Sequence, residues 1–104
     1  MTYTFMADLA AQIEIPVAGT LIRTLHRDDH AKVVLFAFDG GQELSEHQAS
    51  RPALIQVVKG RLTLTLDGDV LDAGEGSFVH MPAGLPHAVR AETPAVMLLT
   101  LVGD

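Results

Sequence analysis

The chain has no cysteine and no tryptophan, a single tyrosine, and only seven lysines and arginines against thirteen aspartates and glutamates. Without cysteine there is no disulfide, no thiol nucleophile and no thiolate metal site, a usage that fits a reducing cytoplasm. A net charge of −6 with no basic run leaves no electrostatic footprint for nucleic acid or an anionic membrane. With one tyrosine and no tryptophan, platforms for stacking bases or sugar rings are scarce. No apolar stretch approaches the roughly 20 residues of a membrane helix, and Met1-Thr2-Tyr3-Thr4-Phe5-Met6 lacks the basic start and apolar core of a secretion signal. There is no Gly-rich phosphate cradle, since Gly40-Gly41 reads as a turn, and Ser45, Ser50 and Ser77 lack the Gly-x-Ser-x-Gly setting of a nucleophilic serine. A cytoplasmic protein that binds neither nucleic acid nor membrane is the expectation.

What is present is apolar material, 48% of 104 residues, enough for one core and one domain. Residues 6–12, rich in good helix formers and stopping before Ile13-Glu14-Ile15-Pro16, are the one expected helix, a short one. From Thr20 the pattern changes to β-branched and apolar runs of four to eight residues separated by Gly, Pro and Asp turns, about eight strands in all. Leu62-Thr63-Leu64-Thr65-Leu66 alternates strictly, as a strand with one buried face does, and Asp67-Gly68 supplies the turn of a tight hairpin. The expected division is an N-terminal extension over residues 1–19 and an all-β domain over 20–104, a double-sheet jelly roll or small barrel. The runs Val33–Phe38 and Val96–Val102 are apolar on both faces, so the outer face of their sheet must also be covered. A homodimer is the expected cover; the N-terminal segment folding across that face is the alternative.

Two spaced patterns carry more specific information. Gly41, His47, Ala49, Ala53 and Gly60 form the first; Gly76, Pro82, Gly84, His87 and Ala91 form the second. In order and spacing they resemble the two motifs of the cupin family, Gly, His, His, Glu, Gly and then Gly, Pro, Gly, His, Asn. Seven of these positions match, and the three that do not, 49, 53 and 91, are all alanine. The chain is thus similar to the small single-domain conserved-barrel cupins. The resemblance implies a cupin-type double-stranded β-helix, that is, a jelly-roll barrel, with sheets that pair into dimers.

The family's usual divalent site, for iron, manganese, nickel or zinc, takes the two histidines and the glutamate of the first motif and the histidine of the second. Here the resemblance assigns His47 and His87 to it, while Ala49 and Ala53 cannot donate a lone pair. Two imidazoles fall short of the three or four protein ligands of a tight site, so the metal site is expected to be partial, weak or absent. His80 is a candidate third imidazole if it faces inward. Glu43, Glu46, Gln48 and Gln56 are further oxygen donors near the first motif; strict alternation from His47 puts Glu43 on its side and Glu46 and Gln48 on the other, and a bulge would reverse this. His26 and His30 flank Arg27-Asp28-Asp29 and read as surface residues of a turn. Arg51 and Arg90 could reach a pocket mouth and hold a carboxylate, although surface arginine is the commoner fate.

The expected function is binding of a small molecule in a mostly apolar pocket, lined by His47, Ala49, Ala53 and His87, in which the alanines enlarge and dry the cavity. The alternative is a metal-dependent dioxygenase or isomerase in which His47, His87 and a recruited third ligand hold the ion.

Overall fold

The computed structural model describes residues 1–103. Nine strands are found there: β1 (Thr20–Arg27), β2 (Ala31–Phe38), β3 (Glu43–His47), β4 (Ala53–Lys59), β5 (Leu62–Leu66), β6 (Asp69–Ala73), β7 (Phe78–Met81), β8 (His87–Ala91) and β9 (Ala95–Val102). They form a five-stranded sheet in the order β1-β2-β9-β4-β7 and a four-stranded sheet in the order β3-β8-β5-β6, with every pairing antiparallel. Period-two alternation fills the space between the sheets: Leu62 and Leu64 of β5 meet Ile55 and Val57 of β4 and Met97 of β9, all buried. Thr63 and Thr65 turn to the other side of β5.

β2 and β9 are apolar on both faces because they have two cores to serve. Phe36, Phe38, Met97 and Leu99 face the other sheet, whereas Leu35, Ala37, Val96 and Leu98 form a second cluster on the outer face. Leu9, Ile13 and Ile15 of the N-terminal segment pack on that second cluster together with Leu25. The face that suggested a partner is therefore covered by the chain's own N-terminus.

Two expectations about architecture are corrected. The helix over residues 6–12 does not form; a three-residue 3-10 turn, Ala10–Gln12, stands in its place. Asp8 accepts a hydrogen bond from the Ala10 N–H and starts a local turn, and Ile13 is already extended so that it and Ile15 can reach the sheet. Seven residues are too few to nucleate a helix against that competition. Nor do the sheets close into a jelly-roll barrel. β1 and β7 end one sheet, and β3 and β6 end the other. The chain crosses between sheets through segments such as Gly40-Gly41, Arg51-Pro52 and Pro82 to Pro86, where glycine turns the chain and proline cannot donate to a ladder, instead of by strands that bend continuously from sheet to sheet. β3 is an element the sequence does not announce: Glu43-Leu44-Ser45-Glu46-His47 is a polar edge strand with no apolar alternation. Among the described residues no helix is long and apolar enough to cross a membrane.

Asp67 and Gly68 both have positive φ in the β5–β6 hairpin, as the sequence predicts. Gly60, between β4 and β5, is more tightly constrained: its φ is +76° and a Cβ there would lie 2.1 Å from the Pro94 carbonyl oxygen. We expect Gly60→Ala to cost at least about 2 kcal/mol in urea unfolding, because strain and a backbone clash add. Gly68→Ala, with φ +88° but open space around it, should cost about 1 kcal/mol. Equal costs at the two positions would refute the close approach.

The β1–β2 turn is held by Asp28, whose carboxylate accepts from the His26 ring at 2.7 Å and from the N–H groups of His30 and Ala31 at 2.7 and 2.9 Å. The His26 bond first, then the two backbone bonds, hold this carboxyl at about 2, against an ordinary 3.8. A depressed folded value stabilises the fold above the ordinary value, and that contribution disappears as pH falls from about 4 through about 2. Asp28→Asn should therefore lower the thermal midpoint at neutral pH, with the gap from the parent protein narrowing through that window; a gap independent of pH would contradict it.

Candidate functional site

β3 and β8 lie side by side at the edge of the four-stranded sheet, and their register places His47 directly opposite His87. The ladder slips between Leu44 and His47, so a bulge of Ser45 and Glu46 intervenes. Leu44 packs into the core, and His47 returns to the same side, with its ring centre 4.1 Å from that of His87 and the planes tilted by 56°. Without the bulge, residues an odd number apart would face opposite ways. The same slip turns Glu43 outward, where it lies opposite Arg90 with an ion-pair distance of 3.7 Å. His87 is 5% exposed, and His47 is exposed at the rim.

Each ring is anchored in the same way. His47 Nδ1 is 2.8 Å from the Ser45 carbonyl oxygen, and His87 Nδ1 is 2.9 Å from the Leu85 carbonyl oxygen. A carbonyl only accepts, so both Nδ1 atoms carry the proton and donate. In the neutral rings both Nε2 atoms then present lone pairs.

The other candidate residues are distributed around this pair. Ala49 is half-buried and lines a cleft of about 420 Å³ with Gln48, Ser50, Ala83 and Gly84. The loop leaving His47 and the loop entering His87 are tied there by a hydrogen bond from the Gly84 N–H to the Ala49 carbonyl, 2.8 Å. Ala53, by contrast, is 1% exposed, with Met81 and Leu101 as its cross-strand neighbours, and belongs to the core. His80 is exposed on β7, where Val79 and Met81 take the inward positions. Gln56 is exposed between buried Ile55 and Val57, and Glu46 and Gln48 are exposed. Arg51 donates to the Gly103 carbonyl. Arg90 is engaged by Glu43 and, at 3.2 Å, by Glu92. His26, expected on a surface turn, is a half-buried residue near the end of β1, and His30 is exposed in the β1–β2 turn.

The metal-binding role that the resemblance attaches to these positions is corrected by this distribution, and any divalent site is weak or absent. Among the described residues no three or more histidine, aspartate or glutamate side chains come together as a metal site. The residues do not fit the ion: positions 49 and 53 carry methyl groups, His80 points outward and the bulge has turned Glu43 away. What the sequence could not reveal is the pair of carbonyl anchors, which are backbone groups placed by the bulge and by the Pro82–Pro86 loop. Pro82, Gly84 and Pro86 signal a loop there, but not which carbonyl meets the ring.

The family profile described as "Cupin domain" matches residues 34–102, and the chain belongs to the cupin family. A crystal structure of a conserved protein of unknown function from Streptococcus pyogenes is 30% identical, superposes with a TM-score of 0.88, and is matched over 100% of this chain and 91% of that one. An RmlC-like cupin from Desulfovibrio desulfuricans is 27% identical with a TM-score of 0.85, over 96% of this chain and 97% of that one. A cupin superfamily protein from Desulfitobacterium hafniense, 24% identical with a TM-score of 0.89 over 100% and 95% of the two chains, shares the fold. No curated protein matches the chain.

Two imidazoles alone should leave the protein metal-poor. Untagged protein purified without added metal or chelator is expected to contain clearly less than one iron, manganese, nickel or zinc per chain by inductively coupled plasma mass spectrometry, and to stay so after incubation with those ions and desalting. One tightly held ion per chain would contradict the donor set described above.

Proposed function

We propose that this cupin binds a small organic molecule at the end of the molecule where β3 and β8 present His47 and His87, with the two rings as its polar contacts and Ala49 on the adjoining wall. The observation that carries this reading is the paired anchoring: two imidazoles in contact, each held by a backbone carbonyl, with both Nε2 atoms left for another partner. A solvated surface histidine needs no such fixing, and orienting a ring through its second nitrogen is how proteins prepare an imidazole to meet a ligand. Ala53 contributes packing beneath the site instead of a wall. A cytoplasmic setting suits a chain without cysteine.

A screen of small organic compounds by thermal shift should find binders whose affinity falls by about tenfold in His47→Ala, the loss of one hydrogen bond of about 1.4 kcal/mol. His47 is exposed, so that variant is expected to keep the parent's unfolding midpoint closely. If His47→Ala holds every hit as tightly as the parent, the site is elsewhere.

We also propose that the protein works as a homodimer paired through β1. The support is the position of β1 at the edge of its sheet, eight residues long, with its own Leu21 and Ile22 exposed. An edge of that length is a ready template for a second strand. Light scattering after size exclusion should give twice the chain mass, and Ile22→Asp should give the single mass; a parent protein that runs as a monomer at high concentration ends this part of the reading.

A further inference from the structure

The chemistry of the paired imidazoles also restricts what can bind to them. We infer that the ligand of His47 and His87 is a hydrogen-bond donor, a neutral or cationic small molecule carrying hydroxyl or ammonium groups, and not a carboxylate. This inference rests on the reading that the pair is a binding site.

The carbonyls of Ser45 and Leu85 fix both protons on Nδ1, so the two Nε2 atoms of the neutral pair are acceptors. No protein donor lies within hydrogen-bonding distance of either Nε2 among the described residues, and the rings are 4.1 Å apart between centres. Two adjacent lone pairs with no donor are complementary to a group that brings protons with it, such as a diol or an ammonium.

Charge points the same way. A cation at the site would favour an anionic ligand, and the two arginines nearest the pair in sequence are engaged elsewhere. Arg90 lies on the outer face between Glu43 and Glu92, and Arg51 donates to the Gly103 carbonyl. The adjoining cleft is lined by Gln48, Ala49, Ser50, Ala83 and Gly84, none of them charged. Glu46, next to His47, is exposed, and the chain as a whole carries −6, which disfavours an approaching anion and favours a cation. A carboxylate brings no proton to either Nε2, whereas a hydroxyl or ammonium does.

The test is a long-range proton–nitrogen-15 correlation spectrum of the full chain labelled at histidine, recorded at about pH 8, where an ordinary imidazole is neutral. Erythritol, putrescine and succinate serve as hydroxyl, ammonium and carboxylate probes of similar length. Both rings are expected to show the Nδ1–H tautomer before any addition. Erythritol or putrescine should then move the Nε2 resonances of His47 and His87 saturably, while succinate leaves them in place. Rings found in the Nε2–H tautomer would overturn the inference whatever binds. Shifts with succinate and none with the other two would overturn it while leaving the binding site intact. Silence of both rings toward all three probes would overturn the binding reading and this inference together.

Discussion

The packing of the two inner sheet faces against each other is the interaction on which the rest of the molecule depends. Leu62, Leu64, Ile55, Met81, Met97 and Phe38 are almost completely withdrawn from water in that layer. Each large apolar side chain so buried contributes on the order of 1.5–3 kcal/mol against the entropy of ordering the chain. Because this layer is filled, the space beneath the histidines is occupied by protein. Ala53 sits in it with Met81 and Leu101 beside it, so a carboxylate at that position would be buried among apolar groups at a large desolvation cost.

The site depends on a local departure from regular sheet geometry at the edge of that packed layer. One bulge in β3 does three things at once: it returns His47 to the side of His87, it turns Glu43 out to Arg90, and it brings the Ser45 carbonyl to His47 Nδ1. These are consequences of a single register slip, which reassigns every side chain beyond it to the opposite face. The outcome is a histidine pair whose rings are held at Nδ1 by backbone carbonyls, which leaves the two Nε2 atoms as the remaining acceptors. An arrangement with that polarity suits recognition of a proton-bearing ligand better than coordination, for which the other donors have been removed or turned away.

The covering of the outer sheet face shows how a correct physical premise can lead to more than one structure. Strands β2 and β9 do require cover on both sides, and their composition says so. Composition does not say who supplies it. Leu9, Ile13 and Ile15 do, and in reaching the sheet they give up the helix that local propensity favours over residues 6–12. Tertiary burial outweighs a propensity difference of a few tenths of a kcal/mol per residue.

By itself the sequence determined the two antiparallel layers, the hairpin at Asp67-Gly68, the family frame carried by its glycines, Pro82 and two histidines, and the shortage of metal donors at positions 49 and 53. All of these are set by residue type and spacing, which are local properties. The tertiary structure decided the open sheets, the strand at Glu43–His47, the outward turn of His80 and Glu43, and the tautomer of the paired rings. Each of these depends on which face a residue presents or on which backbone carbonyl lies beside it. A bulge or a loop can change that without changing a letter of the pattern.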